Sequence, residues 1–323
     1  EKTDQNWYRK TFELSETPTS GMVHLASYGY HELYVNGEKI TDNVMNPVLS
    51  YMKTRIPYLT YDIKDKLKKG KNVIAVWHAG GWTGWRRIRE YRNPPFTFKA
   101  QAAIKAGENT IAIVSDPSWK CKNSLSKYIG GWDIQDFGGE LIDARKADPN
   151  WNTADYDDSS WEQAIVWKGK TAKYLSAQRV EPQVRYQTLK PVEISGNGPY
   201  VIDMGRNYSG QFEIDLRNGK EGDTITIEIS DIKGVTCNKS QRSKYVFDKT
   251  GKGKFANRFN YAGGRWSTIS GLNYKQELEY IKGYVLTNDR KRISTFECSN
   301  ELLNQIYEIN INTLLANTLD GIM

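Results

Sequence analysis

Val23-His24-Leu25-Ala26-Ser27-Tyr28, followed closely by Glu32-Leu33-Tyr34-Val35-Asn36-Gly37, decides the fold class of this chain. Both are short runs of strand-forming residues, and Asn36-Gly37 supplies the two positive-φ positions that a tight hairpin turn requires. Outward from this pair, Tyr61-Asp62-Ile63 leads into a short helical segment that ends at Leu67 and is stopped by Gly70, and a strand follows from Asn72 to Trp77. Further along, Gly222-Asp223-Thr224-Ile225-Thr226-Ile227-Glu228-Ile229 sets Ile on one face and Thr and Glu on the other, the signature of a half-buried antiparallel strand. Short strands punctuated by Gly, Asn and Pro fill most of the chain, which is the pattern of β-sandwiches and not of alternating strand and helix units. The expected fold class is all-β. One long helix is expected near the end, from Ser299 as N-cap through Asn300-Glu301-Leu302-Leu303-Asn304-Gln305-Ile306-Tyr307-Glu308-Ile309, with Leu302, Ile306 and Ile309 on one stripe.

A chain of 323 residues holds about two domains. The polar stretch Lys168-Gly169-Lys170-Thr171 marks a linker, with Pro182 and Pro191 opening the next unit. Hydrophobic residues make up 38% and aromatic residues 12%, too aromatic and varied for a disordered or fibrous chain, and no apolar run approaches the ~18 residues of a membrane span. The net charge of +7 invites a nucleic-acid reading, but basic residues are interleaved with acids, as in Lys64-Asp65-Lys66 and Arg87-Ile88-Arg89-Glu90. No zinc-finger, helix-turn-helix or RNA-binding signature accompanies them, so no nucleic-acid partner is expected. Cys121, Cys237 and Cys298 are an odd number at long spacings, which fits free structural thiols better than a disulfide framework or a metal site. The first residue is Glu1 with no basic and apolar leader behind it, so any targeting segment is expected to have been removed.

Catalytic chemistry is hard to place. A glycosidase requires two carboxyl groups, one protonated and one ionised, around the scissile bond. The tempting pair is Glu140 and Asp143 in Gly138-Gly139-Glu140-Leu141-Ile142-Asp143-Ala144-Arg145, but in a strand Asp143 and Arg145 share a face and pair, which suits a structural role. Asp155, Asp157 and Asp158 lack the spacing of a calcium loop and read as a turn before a buried Trp161. His24, His31 and His78 offer no zinc spacing, and Ser209 in Tyr208-Ser209-Gly210 lacks the preceding Gly of a nucleophile elbow. No phosphate loop, metal site or cofactor is expected. Exposed aromatics remain: Gly80-Gly81-Trp82-Thr83-Gly84-Trp85-Arg86-Arg87 and Gly130-Gly131-Trp132-Asp133 place indoles in Gly-flanked loops. Trp82, Trp85, Arg86 and Trp132 are the candidate carbohydrate-binding residues, because indole faces stack on sugar C–H faces while polar neighbours take the hydroxyls. The alternative is that Trp82 and Trp85 plug the end of a sandwich.

Several spaced motifs then combine. Trp7-Tyr8-Arg9-Lys10-Thr11-Phe12, Glu32 to Gly37, Tyr58-Leu59-Thr60-Tyr61-Asp62-Ile63, Leu67 to Gly70 and Gly80-Gly81-Trp82 resemble the N-terminal β-sandwich of bacterial α-L-rhamnosidases, glycoside hydrolase family 78. Gly139 to Arg145, Trp151 and Asp157-Asp158-Ser159-Ser160-Trp161 look like that domain's closing signature. Val201-Ile202-Asp203-Met204-Gly205-Arg206-Asn207-Tyr208-Ser209-Gly210 and Arg258-Phe259-Asn260-Tyr261-Ala262-Gly263-Gly264-Arg265-Trp266 are similar to the β-sandwich that follows, although Ala262 to Trp266 departs from the family's more usual His-Gly-Phe-Arg-Tyr. Phe296-Glu297-Cys298-Ser299-Asn300-Glu301-Leu302-Leu303-Asn304 resembles the entry into the family's catalytic α/α barrel, and Asn317-Thr318-Leu319-Asp320 the approach to its D-C-P-x-R-E motif.

The resemblance implies two antiparallel, jelly-roll-like β-sandwich domains followed by the first helix of an absent α/α barrel. These are a galactose-binding-like N-domain over 1–175, a concanavalin-like sandwich over 176–295 and the truncated start of a helical catalytic domain over 296–323. The catalytic acid and base of the family lie in that barrel, so no catalytic residue carries over to this sequence. The family hydrolyses terminal α-L-rhamnose with inversion. The resemblance therefore implies a non-catalytic role here, with a rhamnose-containing oligo- or polysaccharide and the chain's own barrel domain as partners, in a secreted or periplasmic bacterial protein. A self-standing carbohydrate-binding module and a purely structural scaffold are the alternatives.

Overall fold

The computed structural model describes residues 4–84, 96–131, 135–169 and 172–319, apart from the side chain of Trp82. Its strands, in chain order, are β1 (Gln5–Leu14), β2 (Pro18–Tyr28), β3 (Tyr30–Val35), β4 (Glu38–Lys39), β5 (Arg55–Asp62), β6 (Gly70–Ala79), β7 (Thr97–Ala106), β8 (Asn109–Val114), β9 (Lys120–Asn123), β10 (Ser126–Ile129), β11 (Gly139–Asp143), β12 (Glu162–Gln163), β13 (Tyr174–Ala177), β14 (Gln183–Leu189), β15 (Glu193–Ser195), β16 (Tyr200–Leu216), β17 (Thr224–Ser230), β18 (Arg242–Val246), β19 (Gly253–Ala256), β20 (Ala262–Ser270) and β21 (Ile281–Asn288). A single α-helix, α1 (Glu301–Ala316), stands among the described residues, so the fold class is all-β as expected. The chain divides into two compact units: residues 1–128 with 146–180, and residues 129–145 with 181–323.

The first unit is a sandwich of two sheets, ordered β12-β9-β1-β6-β3-β4 and β13-β5-β2-β7-β8. Alternation along β1, β2 and β7 turns every second side chain inward, and Leu14, Leu25, Val35, Ile74, Val76 and Ile104 meet in the core. The hairpin from β3 to β4 forms where the sequence requires it, with Asn36 at φ 50° and Gly37 at φ 92° and Val35 opposite Glu38. The Asn36 side chain adds to the turn, since its Oδ1 accepts from Val73 N at 2.9 Å and its Nδ2 donates to the Lys66 carbonyl at 2.7 Å. A short 3-10 turn over Lys64–Lys66 and a positive-φ Gly70 (91°) then lead into β6. Residues 146–161 are fixed to β1 by aromatic stacking. The Trp7 ring stacks on Trp151 at 5.0 Å and on Trp161 at 6.4 Å, while the wholly buried Arg9 donates to the carbonyls of Thr153 (2.6 Å) and Tyr156 (3.3 Å) and pairs with Asp158.

In the second unit the strand order is β11-β18-β17-β20-β16-β21-β14, with β15 and β19 also pairing with β16. β16 is 17 residues long and serves four partners because its register shifts between Asp203 and Tyr208, where Gly205 takes φ 80°. Ile225, Ile227 and Ile229 of β17 all turn inward, as their alternation predicts, to join Phe212, Ile214 and Phe255. β11 is parallel to β18, pairing Leu141 with Lys244 and Asp143 with Val246, so residues 129–145 belong to this unit although residues 146–180 belong to the first.

The N-cap of helix α1 falls one residue later than the Ser299 expected. Asn300 is the N-cap, its Oδ1 accepting from Leu302 N at 3.0 Å and Leu303 N at 3.4 Å. An Asn two residues before Leu302 reaches the free N–H groups of the first turn, whereas Ser299 lies one residue too far back. At the other end, Arg206 of β16 donates to Asn312, and the buried Thr318 hydroxyl lies 3.1 Å from that of Thr287 in β21. Leu302, Ile306 and Ile309 are 62%, 45% and 63% exposed.

Candidate functional site

Of the acidic residues nominated by the sequence, Glu140, Asp143, Asp157 and Asp158 are each held by groups of the chain itself. Glu140 on β11 is 1% exposed, and its two carboxylate oxygens accept from the backbone N–H groups of Arg258 (2.6 Å) and Phe259 (2.9 Å). Its place in a parallel pair with β18 carries it under the chain that leads from β19 into β20. Asp143 makes a two-point pair with Arg145, Oδ1 to Nε at 2.8 Å and Oδ2 to Nη2 at 2.9 Å. The pair forms although Arg145 has left the strand for a 3-10 turn over Ala144–Lys146. Neither carboxyl group is placed to protonate a leaving group. Asp157 caps a turn by accepting from Ser159 N at 2.9 Å, which holds its carboxyl below the usual range, and Asp158 pairs with Arg9. Trp161 behind them is buried, as read from the sequence. Among the described residues no three of His, Cys, Asp and Glu gather as metal ligands.

The histidines are core and strand residues. His24 meets the Thr60 hydroxyl at 2.8 Å on an exposed face. His31 is buried between Ser27 (Nδ1 to Oγ, 2.7 Å) and Tyr61 (Nε2 to Oη, 2.9 Å). Burial lowers its pKa to about 3, and the neighbouring His78 adds to the shift while Glu32 opposes it. His78, opposite it across β3 and β6, is lowered to about 4 by burial, against the backbone of Tyr28 and Thr97. Neither ring nitrogen of His78 has a partner of good hydrogen-bond geometry. Both imidazoles are therefore neutral near pH 7, and a Ser-His contact sealed in the core has no access to a substrate.

The first aromatic loop begins with Gly80 and Gly81, which are glycines for lack of room: a Cβ at residue 80 would stand 2.7 Å from the Phe96 ring, and one at residue 81 would stand 2.5 Å from the Tyr30 ring. Of the four carbohydrate-binding candidates, Trp85, Arg86 and Trp132 lie outside the described residues, as does the side chain of Trp82.

A cleft that the sequence did not point to lies within the first unit. It has a volume of about 490 Å3, within the ~300–1,000 Å3 of small-molecule sites. Tyr28 at the end of β2, Phe98 near the start of β7 and Trp119 just before β9 line it, together with residues of the segment Ala164–Gly169 and with Tyr174 and Leu175. Lys99, Asp116 and Lys173 bring charge to it. Asp116 Oδ1 accepts from the Ser118 backbone at 2.8 Å and from its hydroxyl, and this holds the carboxyl below its ordinary range. Trp167 is 45% exposed, and its indole lies across Gly169, where a Cβ would stand 2.4 Å from Cζ2. The sequence signal was Ile165-Val166-Trp167, three consecutive apolar residues directly before the polar stretch read as a linker.

Comparison with known proteins accounts for nearly the whole chain. Residues 16–193 match the model of the α-L-rhamnosidase N-terminal domain, and residues 195–287 match that of the bacterial α-L-rhamnosidase concanavalin-like domain. An α-L-rhamnosidase of Formosa agariphila is 26% identical over 97% of this chain, and one of Streptomyces avermitilis is 24% identical over 94%. The solved α-L-rhamnosidase from Dictyoglumus thermophilum superposes with a TM-score of 0.88 at 30% identity, covering 98% of this chain and 36% of its own. The chain spans about a third of the length of these relatives, 35% and 30% of the two sequences. With its N-terminal domain and its concanavalin-like domain both matched in order, the chain belongs to the α-L-rhamnosidase family.

Proposed function

We propose that residues 1–323 form the non-catalytic N-terminal part of a glycoside hydrolase that removes terminal α-L-rhamnose from glycans. The observation that carries this reading is the coverage: 97% of the chain aligns with only 35% of a relative named α-L-rhamnosidase. The state of the acids supports it. An inverting glycosidase holds one carboxylic acid over the glycosidic oxygen and a second carboxylate against water on the opposite face. Glu140 is buried with both oxygens occupied by backbone donors, and Asp143 is held by Arg145. In this reading the acid and base belong to a helical barrel elsewhere in the whole protein, its partners are a rhamnose-containing oligo- or polysaccharide and that barrel, and its place is outside the bacterial cytoplasm. The two sandwiches then serve as the scaffold.

The test is hydrolysis of p-nitrophenyl α-L-rhamnoside by this chain. The expected rate equals the blank, for the wild type and for Glu140→Gln and Asp143→Asn alike. Turnover by the wild type that disappears in either variant overturns the reading.

A further inference from the structure

Between β21 and α1 the second unit carries a stretch that its secondary structure leaves unheld. Residues 290–297 belong to no helix or strand and are exposed throughout, Ile293 at 96%. Among the described residues no backbone–backbone hydrogen bond reaches them. Their flanks, by contrast, are fixed. Asp289 N donates to the Pro182 carbonyl at 2.8 Å, and Asn304 clasps Cys298, its Oδ1 accepting from Cys298 N at 2.9 Å and its Nδ2 donating to the Cys298 carbonyl at 2.8 Å. Three consecutive basic residues, Arg290-Lys291-Arg292, open the stretch. Arg292 donates to the Ser294 carbonyl at 3.0 Å and pairs with Glu308 of α1 at 2.7 Å, a surface contact that is weak in water. Arg290 and Lys291 make no ion pair among the described residues.

The geometry points to a processing site, at which an endoprotease with an acidic pocket for Lys or Arg cuts the chain within Arg290-Lys291-Arg292. A protease takes its substrate as an extended strand and needs several consecutive residues free of their own backbone partners. Residues 290–297 meet that need without any unfolding. A carboxylate in the pocket of the protease selects a basic side chain, and here the free heads of Arg290 and Lys291 stand side by side in the sequence. Exposure of two basic residues is not enough by itself, as Lys68-Lys69 shows. Both are exposed, but Asn72 locks their backbone: its Oδ1 accepts from Lys68 N at 3.0 Å, and its Nδ2 donates to the carbonyls of Lys68 (2.7 Å) and Gly70 (2.8 Å). In the cut, water adds across one peptide bond, leaving a carboxylate on the basic residue and an amino group on the residue after it. Helix α1 buries none of its own residues and is tied to the sandwich by the Arg206–Asn312 contact and, just past its end, by the Thr287 and Thr318 hydroxyls, so the cut leaves it on few anchors. Where the chain continues into a barrel, as the reading above has it, the same cut parts the sandwiches from the catalytic part; this consequence rests on that reading and the cut itself does not.

Limited digestion of the full chain with trypsin, sampled over time with each cut assigned by fragment mass, tests the inference. A new amino terminus at Lys291, Arg292 or Ile293 is expected while the bonds after Lys68 and Lys69 stay intact. Because the site is open in the folded chain, its rate of cleavage is expected to be unchanged by urea below the unfolding transition, whereas cuts within the strands rise with urea. Substituting Arg290→Gln, Lys291→Gln and Arg292→Gln together is expected to remove the cut and leave the thermal midpoint unchanged, since all three residues are exposed. Cleavage after Lys68 or Lys69 ahead of residues 290–292 overturns the inference. So does a rate at residues 290–292 that climbs with urea in step with the strand cuts, or a lowered midpoint in the triple variant, which would mean that these side chains hold the fold. These results leave the non-catalytic reading standing, and turnover of the aryl rhamnoside bears on that reading and not on the cut.

Discussion

Glu140 shows how a buried carboxylate holds chain together without taking part in chemistry. Its two oxygens close the backbone N–H groups of Arg258 and Phe259, and a buried donor left open costs about 1–3 kcal/mol. Glu140→Ala opens two, and is expected to lower stability by about 3 kcal/mol, read as an earlier urea midpoint with an unchanged slope. Arg9 does similar work in the first unit, where its guanidinium holds the carbonyls of Thr153 and Tyr156 and the Asp158 carboxylate. Arg9→Ala is expected to cost about 3 kcal/mol and to weaken the near-UV signal of the stacked Trp7, Trp151 and Trp161, because the segment that carries two of those rings loses its anchor. The sequence revealed part of this. Asp143 and Arg145 pair as their nearness in sequence suggests, although through a 3-10 turn and not across one face of a strand, and Trp161 is buried behind the polar turn before it. Glu140 was legible only as a residue unsuited to acid catalysis, because its partners lie 118 and 119 residues away and no local pattern points to them.

At the scale of elements, hairpins and amphipathic strands were the most legible. Asn36-Gly37 fixes a two-residue turn by backbone sterics alone, and the Ile alternation of β17 fixes which face is buried. The segment Ile165–Gly169 was less so, since a polar run read as a linker hid an aromatic wall directly before it. Helix α1 was legible in type and failed by one residue in its cap. Its exposed residues carry a prediction of their own. Leu302, Ile306 and Ile309 together form an apolar stripe that stands exposed among the described residues, and such stripes associate in water. Sedimentation velocity is expected to show concentration-dependent self-association, relieved by the triple substitution Leu302→Ser, Ile306→Ser and Ile309→Ser with the thermal midpoint unchanged. A clean monomer at all concentrations for the wild type would remove the case for the stripe.

For the molecule as a whole, His31 and His78 set a dependence on pH. Both have folded-state pKa values pushed below the ordinary 6.5 by burial, to about 3 and about 4, so the unfolded chain binds protons that the native chain refuses. Stability is therefore full above pH 6.5 and falls as pH drops toward 4, by up to about 1.4 kcal/mol per pH unit for each histidine. Urea unfolding at pH 7.5 and 5.0 is expected to show this loss, and His31→Gln to remove about half of its pH dependence. A stability independent of pH over that interval would mean that these imidazoles are not buried neutral in solution.

The excursion of residues 129–145 has a further consequence, for inheritance. The chain leaves the first unit, supplies β11 to the second, returns to complete the first with the Trp151 and Trp161 segment, and leaves again. No single cut therefore yields both sandwiches whole: a chain ending near residue 175 keeps β11 and Glu140 but parts them from β18 and from Arg258 and Phe259, and the remainder lacks the carboxylate that closes those two N–H groups. Exchange of one sandwich alone through a single junction is therefore expected to leave groups unpaired in both, whereas exchange of the two together keeps every pair.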